Sequence, residues 1–253
     1  MPATDATQRF SSRVEKYVRY RPGYPPEIIP LLQAECGLTA GSVIADVAFG
    51  TGLFTKLLLE NGNRVLGVEP NADMRRAGEE FLASYSRFTA VSGKAEATSL
   101  ADASVDFVTA AQAAHWFDCD KARREFVRIL KPGGWLILIW NERQINSPFL
   151  RDYEALLLKY ATDYQEIRHE HTTAKIGDFF APQPFQERQF ELLQVFDYTG
   201  VEGRLLSSSY TPPAGDPRFE PMIAELQRIF RAHAVDGKAV FAYITRVFFG
   251  RLK

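Results

Sequence analysis

The sequence has few cysteines, almost no net charge and no long apolar run. Its 253 residues include only Cys36 and Cys119, at no paired spacing, so we expect a reducing compartment and no structural disulfide. Thirty basic against 31 acidic side chains give a formal net charge of -1, which excludes a broad basic surface for nucleic acid. No apolar run approaches the length of a membrane span, and residues 1–10 lack the apolar core of a signal peptide. The expectation is a cytoplasmic protein without a nucleic-acid or membrane partner, and its oligomeric state stays open.

The composition is that of an ordinary globular protein, with 46% hydrophobic and 24% charged residues. The length suits one large α/β domain with an elaboration, and no internal repeat or low-complexity segment divides it. We expect a single domain over 1–253. Its parts are an N-terminal segment with a first helix (1–37), a core (38–143), an insertion (144–186) and C-terminal strands with a helix (187–253).

The most informative stretch has the order strand, small-residue loop, helix, strand and acid. A short apolar run at 43–45 leads through Asp46 into the loop 48–52, which reads A-F-G-T-G. After a segment of helical spacing, a second apolar run at 65–68 ends on Glu69. This order predicts a nucleotide-binding βαβ unit.

The spacing in this loop argues against a dinucleotide fingerprint. If Gly50 and Gly52 were the first two glycines of G-x-G-x-x-G, the third would fall on the β-branched Thr55. Asp46 beside the loop would repel a pyrophosphate but would suit a cationic ligand. S-adenosylmethionine carries an ammonium and a sulfonium and no phosphate, and Glu69 lies where an acid would accept hydrogen bonds from ribose hydroxyls.

At this point the stretch resembles the class I S-adenosylmethionine-dependent methyltransferases of the type 11 group, among them small-molecule enzymes such as the trans-aconitate type. The group's usual loop is D-x-G-x-G-T-G, so Ala48 replaces its first glycine, which requires a position that does not need φ > 0. Phe49 is bulkier than the usual residue and is expected to press on the methionine end of the pocket. The resemblance covers about Phe10 to Arg143. It implies a doubly wound, mostly parallel seven-stranded α/β sheet with a helical lid in the insertion.

The resemblance also implies the residues that hold S-adenosylmethionine. An N-terminal Tyr/Arg-Pro-x-Tyr-Pro segment would fold over the cofactor, although surface packing by its aromatics is an equal alternative. Met74 would line the adenine pocket, or would be a core residue. Lys94 replaces the acid of the group's G-D-A-E, so only the two residues after it carry over. The expected cofactor-binding residues are Tyr17, Arg21, Asp46, Ala48, Phe49, Gly50, Thr51, Gly52, Glu69, Pro70, Met74, Ala95, Glu96 and Gln112.

The methyl acceptor is expected beside the segment Q-A-A-H-W-F, which follows the strand at 105–110. His115 is the best-placed general base, and a carboxylate acceptor would need none. The expected acceptor-binding residues are Tyr20, His115, Trp116, Asn141 and Arg143. The acceptor is a small molecule with an attacking O (carboxylate or hydroxyl) or N. Small carboxylic acids are favoured because related enzymes methylate them, and Arg21 with Arg143 would bind the acid.

Three alternatives complete the expectations. The H-E-H run at 169–171 lacks further ligands, so no metal is expected. A non-catalytic cofactor-binding protein of the same fold and a nicotinamide-dependent oxidoreductase are the other functions considered. The pattern predicts helices at 26–36, 71–85, 118–130, 148–164 and 221–233, and further strands at 88–91, 105–110, 135–140, 190–198 and 240–252.

Overall fold

The structure is a computed structural model that describes residues 19–162, 164 and 176–252. Its centre is a seven-stranded sheet. The strands are β1 (Val43–Val47), β2 (Arg64–Val68), β3 (Phe88–Val91), β4 (Val105–Ala111), β5 (Leu130–Arg143), β6 (Phe185–Phe196) and β7 (Ala239–Arg251).

The strand order is β3-β2-β1-β4-β5-β7-β6. The first five strands pair in parallel, and β7 runs antiparallel to both β5 and β6. The chain therefore winds outward from β1 in both directions, and the strand order reverses between β1 and β4. Such a reversal opens a crevice at the carboxyl ends of the strands, where ligands bind in open α/β sheets.

Helices cover both faces of this sheet, and this explains why its central strands are buried along most of their length. In β1 only Val43 keeps partial exposure, and residues 136–140 of β5 are all buried. The described helices are α1 (Ile28–Cys36), α2 (Leu53–Glu60), α3 (Ala72–Phe81), α4 (Cys119–Ile129), α5 (Pro148–Tyr160), α6 (Ile176–Phe180), α7 (Tyr198–Leu206) and α8 (Phe219–His233).

The predicted insertion begins with α5, which packs on the sheet through a core of its own. Tyr153 and Phe149 of α5 lie edge-on to Phe241 of β7, at ring-centroid distances of 5.0 and 5.3 Å. The same core includes Leu226 of α8. Within the described residues, α5 thus packs on the antiparallel end of the sheet, and a lid over 144–186 stays a prediction.

Several element boundaries differ from the prediction. The helix predicted at 71–85 ends at Phe81, and the one predicted at 148–164 ends at Tyr160. The strand predicted at 190–198 runs over Phe185–Phe196, and β5 begins five residues before its apolar run. The helix α7 was not predicted. Its sequence, YTGVEGRLL, carries two glycines that lower helix propensity.

Candidate active site

The loop between β1 and α2 takes three left-handed backbone conformations in five residues. Ala48, Gly50 and Gly52 have φ angles of 56°, 60° and 88°. At Gly52, which immediately precedes α2, a Cβ would lie 2.6 Å from Cδ1 of Leu82. Glycine is therefore required there both by conformation and by space. The expectation that position 48 avoids φ > 0 is wrong, and Ala48 is held in a conformation that costs an L-residue about 1–2 kcal/mol.

Asp46 ends up beneath this loop, almost fully buried at 1% exposure. Its carboxylate accepts hydrogen bonds from Thr55 Oγ1 at 2.6 Å and from Thr109 Oγ1 at 2.8 Å. Burial raises the pKa of Asp46 to about 6, although both hydroxyls oppose that rise. The acid therefore ties β1 to α2 and β4 and presents a buried negative charge at neutral pH.

Glu69, at the end of β2, is turned toward the same loop. Its Oε2 accepts from the Gly50 N–H at 3.1 Å and its Oε1 accepts from the Asn71 N–H at 2.9 Å. Burial raises the pKa of Glu69, and these two backbone donors oppose the rise. A carboxylate has about four acceptor positions, so Glu69 keeps capacity for hydroxyl donors. Asn71 also caps α3, as predicted, by accepting from the N–H groups of Asp73 and Met74.

The ring of Phe49 fills a gap between β2 and α3. It lies edge-on to Phe88 at 5.3 Å, and a Cβ on Gly67 would fall 2.8 Å from its Cδ1. A Cβ on Gly78 of α3 would overlap the other side of the ring. The two glycines make room for this side chain. Phe49 also belongs to the lining of the cavity described next, and its pressing on the methionine end stays a prediction.

A cavity lies at the carboxyl ends of β1, β4 and β5, where the strand order predicts a ligand. Of the predicted residues that the structure describes, eleven line it: Arg21, Asp46, Ala48, Phe49, Gly50, Thr51, Gln112, His115, Trp116, Asn141 and Arg143. Thr51 Oγ1 is buried without a hydrogen-bond partner among the described residues. A buried hydroxyl without a partner is costly, so a polar ligand group at this point would be stabilising.

Seven predicted residues lie outside the cavity lining: Tyr20, Gly52, Glu69, Pro70, Met74, Ala95 and Glu96. Met74 Cε lies 3.4 Å from the position that a Cβ on Gly50 would take, so Met74 packs against the loop. Glu96 instead accepts from the Asp118 N–H at 2.9 Å, which joins the β3 exit to α4. Tyr20 packs on Gly203 of α7 and Phe196 of β6.

The prediction for Tyr17 and the H-E-H run both lie outside the described residues. Among the residues that are described, no group of three or more His, Cys, Asp or Glu side chains could hold a metal ion. In the same part of the chain, no helix combines the length and apolarity needed to cross a bilayer.

Gln112 and Asn141 bridge the exits of β4 and β5. Gln112 has a φ of 58° and donates from Nε2 to the Asn141 carbonyl at 2.9 Å. Asn141 donates from Nδ2 to the Gly23 carbonyl at 2.9 Å and accepts from Thr245 Oγ1 at 2.6 Å. Asn141 therefore fixes the N-terminal segment 22–24 against the cavity.

His115 lies in a single 3₁₀ turn, Ala114–Trp116, beyond β4. Its ring packs on Trp116, with centroids 4.4 Å apart, and edge-on against Trp140 at 4.9 Å. The two indoles hold the imidazole at the cavity wall. His115 thus lines the cavity just beyond the end of β4, and its role stays a prediction.

The far end of the cavity contains residues that the sequence analysis did not select. Arg204 of α7, Tyr210 and Tyr243 of β7 line it together with Arg143 and Tyr164. No local motif marks these positions. The available signal would have been a basic residue, Arg204, on a helix that ends beside the strand exits. That helix, α7, was not predicted either.

Comparison with known proteins agrees with this geometry. Residues 45–138 match the family model described as methyltransferase domain. The chain is 38% identical over 215 residues to an uncharacterised methyltransferase of Mycobacterium tuberculosis, covering 83% of this chain and 81% of that one. Among solved structures, one titled as a type II methyltransferase from Anaeromyxobacter dehalogenans superposes with a TM-score of 0.63 at 20% identity, covering 92% and 98% of the two chains. The YcgJ protein of Bacillus subtilis superposes with a TM-score of 0.55 at 20% identity, covering 88% and 97%.

Fold and loop together define a Rossmann-like class I methyltransferase. The chain belongs to the type 11 group of this class and is an S-adenosylmethionine-dependent methyltransferase. The residues present fit that cofactor, since the loop combines a buried acid at Asp46 with the unpartnered hydroxyl of Thr51 and lacks a pyrophosphate-binding spacing. The oxidoreductase alternative is excluded by the family.

Proposed function

We propose that the chain transfers a methyl group from S-adenosylmethionine to the O or N atom of a small molecule bound in this cavity. The observation that carries the proposal is the loop 48–52. It meets the acids Asp46 and Glu69 on one side, and His115 lies beyond it across the strand exits. This arrangement gives a cationic cofactor one carboxylate in the cavity lining, that of Asp46, with Glu69 bonded to the Gly50 N–H outside the lining, and it leaves the remaining cavity for the acceptor.

When bound, the cofactor supplies a methyl group on a sulfonium, and an in-line displacement needs mainly alignment and exclusion of water. The protein's part is to hold the cofactor and the acceptor. The cofactor residues are Asp46, the loop backbone, Thr51, Glu69 and Gln112, with Met74 toward adenine. Phe54, Tyr24 and Trp140 provide apolar walls.

His115 is the group that would accept a proton from a hydroxyl or amine acceptor. Its ring is fixed by Trp116 and Trp140, and it lines the cavity beyond the loop. General base catalysis contributes about 10²–10⁴-fold. For a protonated acceptor, His115→Gln should therefore lower kcat by about that factor with little change in S-adenosylmethionine affinity. The His115→Gln variant should methylate a carboxylate acceptor at nearly the wild-type rate.

The first experiment is calorimetric titration with S-adenosylmethionine, S-adenosylhomocysteine and NAD. We expect micromolar binding of the two sulfur ligands and a loss of at least about tenfold in Glu69→Ala, because charge-assisted hydrogen bonds are worth about 1.5–3 kcal/mol. The matched control is Glu79→Ala, an exposed acid of α3. Binding of NAD alone, or equal affinities in the two variants, would contradict the assigned site.

The possibility of a cofactor-binding protein without turnover rested on Phe49 filling the methionine pocket. Its ring packs against Gly67, Gly78 and Phe88, and this packing argues against a blocked methionine pocket. Transfer of a labelled methyl group to a panel of small acids, alcohols and amines tests turnover directly.

A further inference from the structure

The acceptor end of the cavity contains an unusual concentration of buried positive charge. Arg143, Arg204 and Arg21 all line it. The Arg143 side chain is 7% exposed and Arg204 is 6% exposed. Guanidinium groups are almost never buried to this degree without anionic partners, since their desolvation costs several kcal/mol per ion.

Among the described residues, one carboxylate pairs with Arg143 or Arg204. Glu154 of α5 pairs with Arg143 Nη2, and the Tyr164 hydroxyl joins the same pair, accepting from Arg143 at 2.8 Å. Arg143 Nη1 is buried and has no hydrogen-bond partner in the described part of the chain. A donor left in this state is costly, so an acceptor atom at this point would be stabilising.

Arg204 is held by neutral groups in the described structure. Its Nε donates to the Tyr243 hydroxyl and its Nη1 to Ser208 Oγ, both at 3.1 Å. No salt bridge from a described carboxylate reaches it within 4 Å. These neutral oxygens orient the guanidinium toward the cavity without cancelling its charge.

The field of the arginines acts on Tyr210, which lines the same end. Burial would raise the pKa of Tyr210, but Arg204, Arg143 and Arg21 together bring it below its ordinary value. Asp46 also lines the cavity, but its two oxygens are hydrogen-bonded by Thr55 and Thr109 at the cofactor end. The described residues therefore compensate the positive charge of Arg143 and Arg204 only in part.

We propose that this arginine and tyrosine cluster, formed by Arg143, Arg204, Tyr210 and Tyr243, binds an oxyanion of the methyl acceptor. The ligand chemistry is a carboxylate or a phosphate, both of which match the planar donor fork of a guanidinium. This inference rests on the proposed function. It adds an anchoring group to the acceptor and makes Arg204 a specificity-determining residue.

The test uses the full chain saturated with S-adenosylhomocysteine, at constant ionic strength. Succinate, glutarate and inorganic phosphate are titrated by calorimetry, with the neutral succinamide and glutaramide as isosteric controls. We expect the acids to bind at least about tenfold more tightly than their diamides, because each charge-assisted hydrogen bond adds about that factor or more. Comparison of the dicarboxylates with phosphate tells the two oxyanion classes apart.

Arg143→Gln and Arg204→Gln should each weaken the best anion by about 10- to 100-fold and leave S-adenosylhomocysteine affinity unchanged. Arg188→Gln, on the exposed edge strand β6, is the matched control and should bind as wild type. Arg204→Lys keeps the charge but loses the fork, so an intermediate loss is expected, and it serves if the glutamine variant does not fold.

The outcomes separate the two proposals. If S-adenosylhomocysteine binds but acids and diamides bind equally, the anion site is refuted and the methyltransferase assignment stands. If acids bind more tightly but the Arg204 variants match Arg188→Gln, Arg204 is refuted as their ligand. Failure of S-adenosylhomocysteine itself to bind would refute the proposed cofactor site.

Discussion

Replacing Gly78 with alanine tests whether the Phe49 ring lies where the structure has it. Gly78 is buried in α3, and an added Cβ would overlap Phe49 Cε2, lie 3.2 Å from Cζ and come within 3.0 Å of the Gly50 carbonyl oxygen. Alanine in a helix interior gains about 1 kcal/mol over glycine. Overpacking of a close-packed contact costs about 1–3 kcal/mol. We expect Gly78→Ala to destabilise the fold by up to about 2 kcal/mol.

The second variant removes the ring instead of crowding it. Phe49 is 7% exposed, and truncation of a buried phenylalanine to alanine costs about 3–5 kcal/mol. In the double variant, the alanine at position 78 keeps its higher helix propensity. Its methyl group faces the space left by the Phe49 ring and still approaches the Gly50 carbonyl oxygen. We therefore expect the double variant to be more stable than the sum of the single effects predicts, by about 1–3 kcal/mol.

Urea denaturation of the wild type, the two single variants and the double variant measures this coupling, provided that the slope of the unfolding free energy against urea concentration stays the same. Gly177→Ala in α6 is the matched control, because the nearest atom to its added Cβ is Phe185 Cε1 at 3.7 Å. It should be neutral or slightly stabilising. Additivity of the Phe49 and Gly78 effects to within about 0.5 kcal/mol would refute the packing. A ring that filled the methionine pocket would give that additivity, and Phe49→Ala would then bind S-adenosylmethionine more tightly.

Three further predictions concern the residues around the loop. Ala48→Gly should stabilise the fold by about 1 kcal/mol in urea denaturation, because φ is 56° at this position, whereas Ala45→Gly in β1 should destabilise it. The folded pKa of Asp46, about 6, lies above its unfolded value, so its contribution to stability is complete below that unfolded value and is lost as pH rises through 6. The free energy of unfolding of the wild type should consequently fall by about 2 kcal/mol relative to that of Asp46→Asn between pH 4 and pH 7 in pH-resolved denaturation, and a constant difference would contradict the burial argument. Asn141→Ala should cost about 2–3 kcal/mol by removing the bonds to Gly23 and Thr245, and proteolysis between residues 19 and 25 should accelerate with it.

The proposed cofactor half of the site could be predicted from the sequence because its residues lie close together in the chain. Asp46, the loop and Glu69 fall within 24 residues, and a strand, a turn and a helix follow from their apolar spacing. The backbone angles were not legible. Ala48 takes a left-handed φ because the path from β1 into α2 demands it, and a methyl side chain gives no sign of that demand.

The direction of Phe49 depended on two residues far along the chain. Gly67 and Gly78 provide the space for its ring, and neither position has a pattern that indicates a missing side chain. Glycines that make room for aromatic rings are also the reason why α7 was not predicted. Gly200 and Gly203 lower its helix propensity, yet the rings of Phe196 and Tyr20 pack directly on them. Close approach of aromatic rings requires the glycines, and tertiary packing then overrides the local preference.

The proposed acceptor half of the cavity is formed by segments that are distant in sequence. Arg143 ends β5, Arg204 lies on α7 and Tyr243 on β7, and they meet because β7 pairs antiparallel with β5. All three lie outside residues 45–138, the part that matches the methyltransferase family model, whereas Asp46 and His115 lie within it.

The two halves of the cavity therefore have different constraints. A cofactor shared by many enzymes needs the same loop, acid and strand exit each time, and one contiguous βαβ unit supplies them. The proposed acceptor site is formed by side chains from α5, α7 and β7, whose packing can change without altering β1 or β2. Arg143 is held by Glu154 on α5, and Arg204 by Tyr243 on β7 and by Ser208 just after α7. A change in any of these three residues would alter which acceptor binds while leaving cofactor affinity intact. Selection of the acceptor is thus expected to depend on the antiparallel end of the sheet.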